Sequence, residues 1–194
     1  MKTLILYTYL FFLFSNFSQT KIDNTKIELF CFKIHNTLRS DNDQRTLLVN
    51  CKKTADLQVD YISKSGIISH ENPSSGNLKK RFSMFNFDTV VYKDIYEISG
   101  FGKANKYDVE SEIITYLPNI QVKNDSTLYY QIASKIINNF INSEGHKKLM
   151  LSTGYSFKRQ GYFSVRTKVI SNVNNNLTLD VYCVAVFSTS FVYD

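Results

Sequence analysis

Three short polar segments contain the residues whose types could do chemistry. They are His70-Glu71-Asn72-Pro73, the surroundings of Glu97, and Asn142-Ser143-Glu144-Gly145-His146. Neutral imidazole nitrogen is a good zinc ligand, so His70 and His146 could bind a divalent cation that keeps an open position for water. Alternatively, Glu97 could act as a general base that the two histidines orient. The three segments are far apart in the chain, so only the fold can bring them together.

The same residues also have ordinary structural interpretations. His70 and Glu97 could be surface side chains, and His146 could interact with the carbonyl end of the helix that precedes it. His35 flanks a buried helical stripe and is expected to pack or form a hydrogen bond in the core. The sequence contains no Gly-x-Ser-x-Gly pattern, and its cysteines lie in apolar stripes, so no activated nucleophile is evident.

Apolar residues at steps of three and four predict the helices that would position these segments. The predicted helices cover residues 27–38, 48–62, 77–86 and 127–142. Gly66 is well placed to end the second of them. In the short helix over residues 77–86, the apolar stripe would direct Leu78, Phe82 and Phe85 inward.

Runs of β-branched and aromatic residues predict three strands. They cover residues 90–98, 162–170 and 177–187, whereas residues 100–125 are polar and irregular. Three consecutive asparagines, residues 174–176, predict a tight turn that joins the last two strands as an antiparallel hairpin. Helices flanking such a sheet indicate the α+β class.

The length and composition indicate one domain with an ordinary surface. The chain has 194 residues, of which 43% are hydrophobic and 21% are charged. Its net charge of +6 is spread over scattered basic residues, which is typical of a solvated basic surface. No helix-turn-helix or RNA-recognition pattern accompanies that charge, so nucleic acid is not an expected partner.

The beginning of the chain has the layout of a signal peptide. Lys2 precedes an apolar run over residues 4–14, and mostly small, polar residues follow up to Ser18. We therefore predict a signal peptide over residues 1–18 and one domain over residues 19–194. An uncleaved anchor is the alternative, and either interpretation puts the domain outside the cytoplasm, as a secreted, periplasmic or cell-surface protein. No later segment predicts a membrane span.

The three cysteines have two interpretations. Cys31, Cys51 and Cys183 each lie in the apolar stripe of their own element, as buried small hydrophobic residues do. Because export would permit disulfides, a bond between Cys31 and Cys51 is the alternative.

Two groups of residues resemble a known family, the CAP superfamily of SCP-domain proteins. His35-Asn36 with Arg39, followed by a second helix that leads to residues 69–73 (SHENP), resembles the opening of a CAP domain. Residues 142–146 (NSEGH), followed by Lys147, Lys148 and the apolar residues 149–151, are similar to a segment of bacterial members. The order and spacing of these segments match over nearly the whole chain after residue 18.

This resemblance implies a three-layer α-β-α sandwich with a central antiparallel sheet. It also implies a cleft in which His70 and His146 take the histidine positions and Glu97 takes the acidic position. Some relatives hold a divalent metal in this cleft, so zinc is the expected cofactor, with His70 and His146 as its ligands. Phe140 stands where the family has a tryptophan, and the second acidic residue of eukaryotic members has no clear counterpart here.

Three functions agree with these residues. The first is a binding module whose cleft takes an extracellular lipid, glycan or protein, with or without a divalent cation. The second is a metal-dependent hydrolase, in which zinc held by His70 and His146 activates a water and Glu97 positions or deprotonates it. The third is a surface protein that binds anionic partners through its basic face.

Overall fold

The computed structural model describes a mixed α/β chain. It covers residues 21–39, 44–85, 89–92, 102–105, 107–151 and 158–190. The predicted signal peptide and Glu97 both lie outside the described residues. Within these ranges the chain has five helices and a four-stranded sheet, and none of the helices is long and apolar enough to cross a membrane.

All four predicted helices are confirmed, and a fifth follows them. The helices are α1 (Asn24–Thr37), α2 (Val49–Ser65), α3 (Leu78–Ser83), α4 (Leu128–Asn142) and α5 (Glu144–Leu151). Gly66 ends α2 as predicted, because its φ of 72° is left-handed and its N–H donates to the Ile62 carbonyl at 2.9 Å. Helix α5 was not predicted as a separate element.

The strands form one mixed sheet and one separate pair. They are β1 (Thr46–Leu47), β2 (Thr89–Tyr92), β3 (Gly102–Asn105), β4 (Tyr107–Lys123), β5 (Lys158–Val173) and β6 (Asn176–Ser190). The order in the main sheet is β1-β5-β6-β4, and β2 pairs with β3. The predicted hairpin between β5 and β6 is confirmed, and Asn174 and Asn175 have the positive φ values, 50° and 60°, that its tight turn needs.

Two predictions about the sheet are wrong. The sheet is not purely antiparallel, because β1 pairs in parallel with β5 through two residues, a stretch too short to show any periodicity. Residues 100–125 are not irregular, since most of them belong to β3 and β4. Five consecutive buried residues, 111–115, and a register shift between Leu117 and Ile120 hide the period-two alternation that identifies a strand.

Strand β6 separates two apolar clusters. Its buried residues Leu177, Leu179, Val181, Cys183, Ala185 and Phe187 pack with α1, α4 and α5, as the predicted alternation requires. The intervening residues Tyr182, Val184 and Val186 pack with α2 and α3 in a second cluster. Helices α1, α4 and α5 therefore pack on one set of β6 side chains, and α2 and α3 pack on the other.

All three cysteines are buried and none of them forms a disulfide, as predicted. Cys31 and Cys183 belong to the first cluster, whereas Cys51 belongs to the second. The alternative interpretation, a disulfide between Cys31 and Cys51, is therefore wrong. Burial raises the pKa of the Cys31 thiol, which agrees with an unreactive core residue.

Candidate functional site

The loop that carries His70 is held in place by hydrogen bonds of its own polar residues. Asn72 accepts hydrogen bonds from the backbone N–H groups of Ser74 and Ser75, at 3.0 and 3.3 Å, and donates to the Leu57 carbonyl of α2 at 3.1 Å. Gly76 closes the turn with a φ of 82°. This framework presents the His70 side chain, which is 62% exposed.

The carboxylate behind His70 belongs to Glu112 of β4. His70 Nδ1 lies 3.0 Å from Glu112 Oε2, and Arg81 of α3 donates to Glu112 Oε1 at 2.5 Å. The side chains of Glu112 and Arg81 are almost completely buried. A buried arginine paired with a carboxylate therefore lies directly behind an exposed imidazole. We call Arg81, Glu112 and His70 the His70 triad.

His146 reaches the same region from a different helix. Ser143 ends α4 with an extended backbone, and the hydrogen bond from the Lys147 N–H to the Ser143 carbonyl, 2.8 Å, begins α5. His146 follows the end of α4, as predicted, and is the third residue of α5, a helix that was not predicted. Its half-buried ring meets the Phe140 ring edge to face, with 5.4 Å between centroids.

Helix α5 is tied to α1 by the buried His35. The imidazole Nε2 of His35 donates to the Met150 carbonyl at 3.0 Å, and Arg39 donates to the same oxygen. Burial lowers the pKa of His35 to about 4, so this imidazole is neutral near pH 7. The prediction that His35 is a packing and hydrogen-bonding residue is confirmed, and its role is to position the helix that carries His146.

The pKa of His146 depends on the charge of His70. Burial lowers the pKa of His146, and the positive charge that His70 carries when protonated lowers it further. The fold therefore brings these two predicted residues within range of each other's charge, although they are 76 positions apart in the sequence (146 minus 70). The Nδ1 atom of His146 is buried and has no hydrogen-bond partner within the described ranges.

Sequence reasoning missed both buried members of the His70 triad. The expected acidic residue, Glu97, lies outside the described residues, and the carboxylate that contacts His70 is Glu112. A signal for Arg81 was present, because it lies three residues after Leu78 and four before Phe85, on the stripe predicted to face inward. A buried arginine requires a carboxylate partner, but periodicity could not say which one.

The described residues supply two donors of the kind that zinc prefers. Glu112 is engaged by Arg81 and His70, so the triad leaves His70 Nε2 as the nitrogen at the exposed edge of the ring. No cluster of three or more His, Cys, Asp or Glu side chains suited to a metal ion occurs among the residues that the structure describes. The donor type fits zinc, while two imidazoles alone would be an incomplete set of ligands.

Comparison with protein-family models, with curated proteins and with solved structures finds no match for this chain.

Proposed function

We propose that this chain is an exported binding protein of the CAP type, with a ligand cleft built on His70 and His146. The observation that carries this proposal is the contact of His70 with the buried Glu112, beside a second histidine that interacts with it electrostatically. A cleft lined by two imidazoles, one of which is held by a buried ion pair, is a prearranged polar site. The ligand would be an extracellular lipid, glycan or protein.

The proposal includes the three-layer α-β-α arrangement of the CAP family. It is supported by the way that alternate β6 side chains pack with α1, α4 and α5 or with α2 and α3. It is also supported by the structural use of the residues that carry the family resemblance. His35 and Arg39 bind the Met150 carbonyl, and Asn36 exchanges two hydrogen bonds with the backbone of Arg45, at 2.9 and 3.1 Å.

A divalent cation, with zinc as the first choice, would be held by His70 Nε2 and the imidazole of His146. Glu112 would then act as the outer carboxylate that orients a metal-binding histidine, a common arrangement in zinc proteins. Glu97 stays the predicted residue that would position or deprotonate the metal-bound water. No other cofactor is expected.

Calorimetric titration of zinc into the metal-free protein tests this cleft. We expect the parent to bind zinc and the His70→Ala/His146→Ala double variant to lose binding while its circular dichroism is unchanged. Arg166→Met is the control, because Arg166 contacts Glu28, Asp56 and Asp60 among the described residues and neither of the two cleft histidines. Absence of binding by the parent, or full binding by the double variant, would contradict the cation site.

The His70 triad also favours a second candidate, the metal-dependent hydrolase. A carboxylate that holds one nitrogen of an imidazole leaves the other nitrogen to take a proton or bind a metal. We expect the zinc-loaded parent to hydrolyse p-nitrophenyl acetate faster than zinc alone, and His70→Ala to lose this activity while staying folded. If His70→Ala hydrolyses the ester as fast as the parent, the hydrolase is ruled out and the binding module stands.

A further inference from the structure

Arg81 is a fully buried cation on a short surface helix. Its side chain has no exposed area, although arginine is among the residues least often buried. Burying a guanidinium is costly unless a carboxylate and further acceptors compensate for the lost water. The groups that accept hydrogen bonds from Arg81 therefore indicate which residue this buried cation positions.

Two of the three acceptors of Arg81 involve one residue, His70: its backbone carbonyl and the carboxylate that contacts its ring. One nitrogen of Arg81 donates to Glu112 Oε1, whose second oxygen contacts the His70 imidazole. Another nitrogen donates to the backbone carbonyl of His70 at 3.0 Å, and also to that of Gly76. One rigid guanidinium thus fixes the backbone of His70 and the carboxylate that contacts its ring.

The chemistry of the carboxylate decides which ring nitrogen of His70 carries the hydrogen. An ionised carboxylate only accepts hydrogen bonds, so the nitrogen that contacts Glu112 Oε2, Nδ1, must be the donor. Arg81 occupies Oε1 and so fixes the plane in which Oε2 can accept. In the neutral ring Nε2 is then the unprotonated nitrogen.

We infer that Arg81 is a positioning residue that holds His70 in the Nδ1–H tautomer, with an unprotonated Nε2 at the mouth of the cleft. This cleft therefore takes a cation or a hydrogen-bond donor at Nε2, and a pure acceptor is a poor ligand there. The statement about ligands rests on the proposed function, whereas the statement about the tautomer depends only on the His70 triad.

Lysine cannot replace Arg81 in this role. The guanidinium is a planar fork whose nitrogens point in fixed, different directions, which the three acceptors around Arg81 require. An ammonium group would keep the charge beside Glu112 but could not reach the same set of acceptors at once. Arg81→Lys therefore keeps the positive charge beside Glu112 and removes the geometry that positions His70.

The test is a long-range proton–nitrogen NMR spectrum of the imidazole rings in the full-length, nitrogen-15-labelled protein. The buffer is mildly alkaline, so that exposed imidazoles are neutral. With three histidines in the chain, His70→Ala identifies the His70 signals. We expect Nδ1 to carry the hydrogen in the parent, and Arg81→Lys and Arg81→Met to give a mixture or the opposite tautomer.

Arg166→Met is the matched control. Arg166 is also held by carboxylates, with its Nε 2.7 Å from Asp60 Oδ1, but among the described residues it does not contact the His70 triad. Its loss should leave the His70 tautomer unchanged. If the parent itself shows hydrogen on Nε2, the inference is overturned, whatever the variants do. A folded Arg81→Lys that keeps the parent tautomer overturns it as well.

Zinc affinity separates this inference from the proposed function. Outer-sphere substitutions typically reduce metal affinity by roughly 10- to 100-fold, and we expect a loss in that range for Arg81→Lys. A parent that fails to bind zinc contradicts the cation site but leaves the tautomer result to decide the role of Arg81. A parent that binds zinc, with Arg81→Lys binding equally well, overturns the positioning role.

Discussion

Two buried glutamates of this chain have different surroundings. Glu28 of α1 accepts the Val165 backbone N–H at 3.0 Å and the Tyr162 hydroxyl at 3.3 Å. The cations of Lys52 and Arg166 lie 3.8 and 3.7 Å from its carboxylate. Glu112 of β4 instead contacts a buried Arg81 and the largely exposed His70.

The partners of Glu28 also bind other polar side chains of the fold. Lys52 also contacts Asp56 at 2.8 Å, Arg166 contacts Asp60 at 2.7 Å, and the Ser164 hydroxyl donates to Asp56. Together with Tyr162 these residues are called the Glu28 network. It lies where the short β1 no longer pairs with β5, so that the carboxylate satisfies a backbone N–H of the strand.

Burial of a carboxylate is therefore not by itself evidence of a binding site. Burial raises the pKa of Glu28, and burial together with Glu28 raises the pKa of Tyr162 to about 12. These shifts belong to a network whose polar groups are used within the fold. Glu112 differs because one of its partners, His70, carries a ring nitrogen to the surface.

The largest expected effect is the loss of stability on removing the central carboxylate of the Glu28 network. Glu28→Ala would leave the Val165 backbone N–H and the Tyr162 hydroxyl without their Glu28 acceptor and would remove one of the carboxylates beside Lys52 and Arg166, at a cost of about 3 kcal/mol. This value is at the low end for a buried pair because Lys52 and Arg166 are partly exposed. Urea denaturation measures the cost, and zinc titration should be unchanged. A variant as stable as the parent would show that the Glu28 network does not stabilise the fold.

The histidines extend the comparison, because His35 is enclosed whereas His70 is open. The folded-state pKa of His35, about 4, is below its ordinary value of 6.5. Between these values the unfolded chain binds a proton that the folded chain does not, so stability falls as the pH falls. From pH 6.5 to roughly pH 5 the loss should be roughly 2 kcal/mol.

The control for this pH effect is His35→Gln, which cannot titrate. Glu28 acts in the opposite sense, since its raised pKa lets the folded chain keep a proton at a higher pH than the unfolded chain does. Comparing the parent with His35→Gln therefore isolates the contribution of His35. Parallel curves of unfolding free energy against pH for the two proteins would contradict the prediction.

The smallest effect concerns the rim of the Glu28 network. Arg166 is 30% exposed, and its ion pairs with Asp56 and Asp60 are partly screened by water. Arg166→Met should cost about 1 kcal/mol, and less at high salt. Urea denaturation at low and high ionic strength measures both quantities. A loss as large as that of Glu28→Ala would show that the cation, and not the carboxylate, holds the network together.

The sequence by itself determined the local elements. Helices α1 to α4 and the β5–β6 hairpin were predicted because apolar periodicity and turn residues act over a few positions along the chain. The buried cysteines and the core role of His35 followed from the same stripes. His70 and His146 could be identified as candidates by residue type and by the family resemblance.

Only the tertiary structure decided which groups meet. His70 and Glu112 are 42 residues apart, and Arg81 and Glu112 are 31 apart, so neither contact has a local signature. Strand β4 escaped prediction because its consecutive buried residues face different neighbours, and β1 because two residues have no period. Long-range pairing is chosen by the packing of the whole sheet and its helices, and that packing placed Glu112 behind His70.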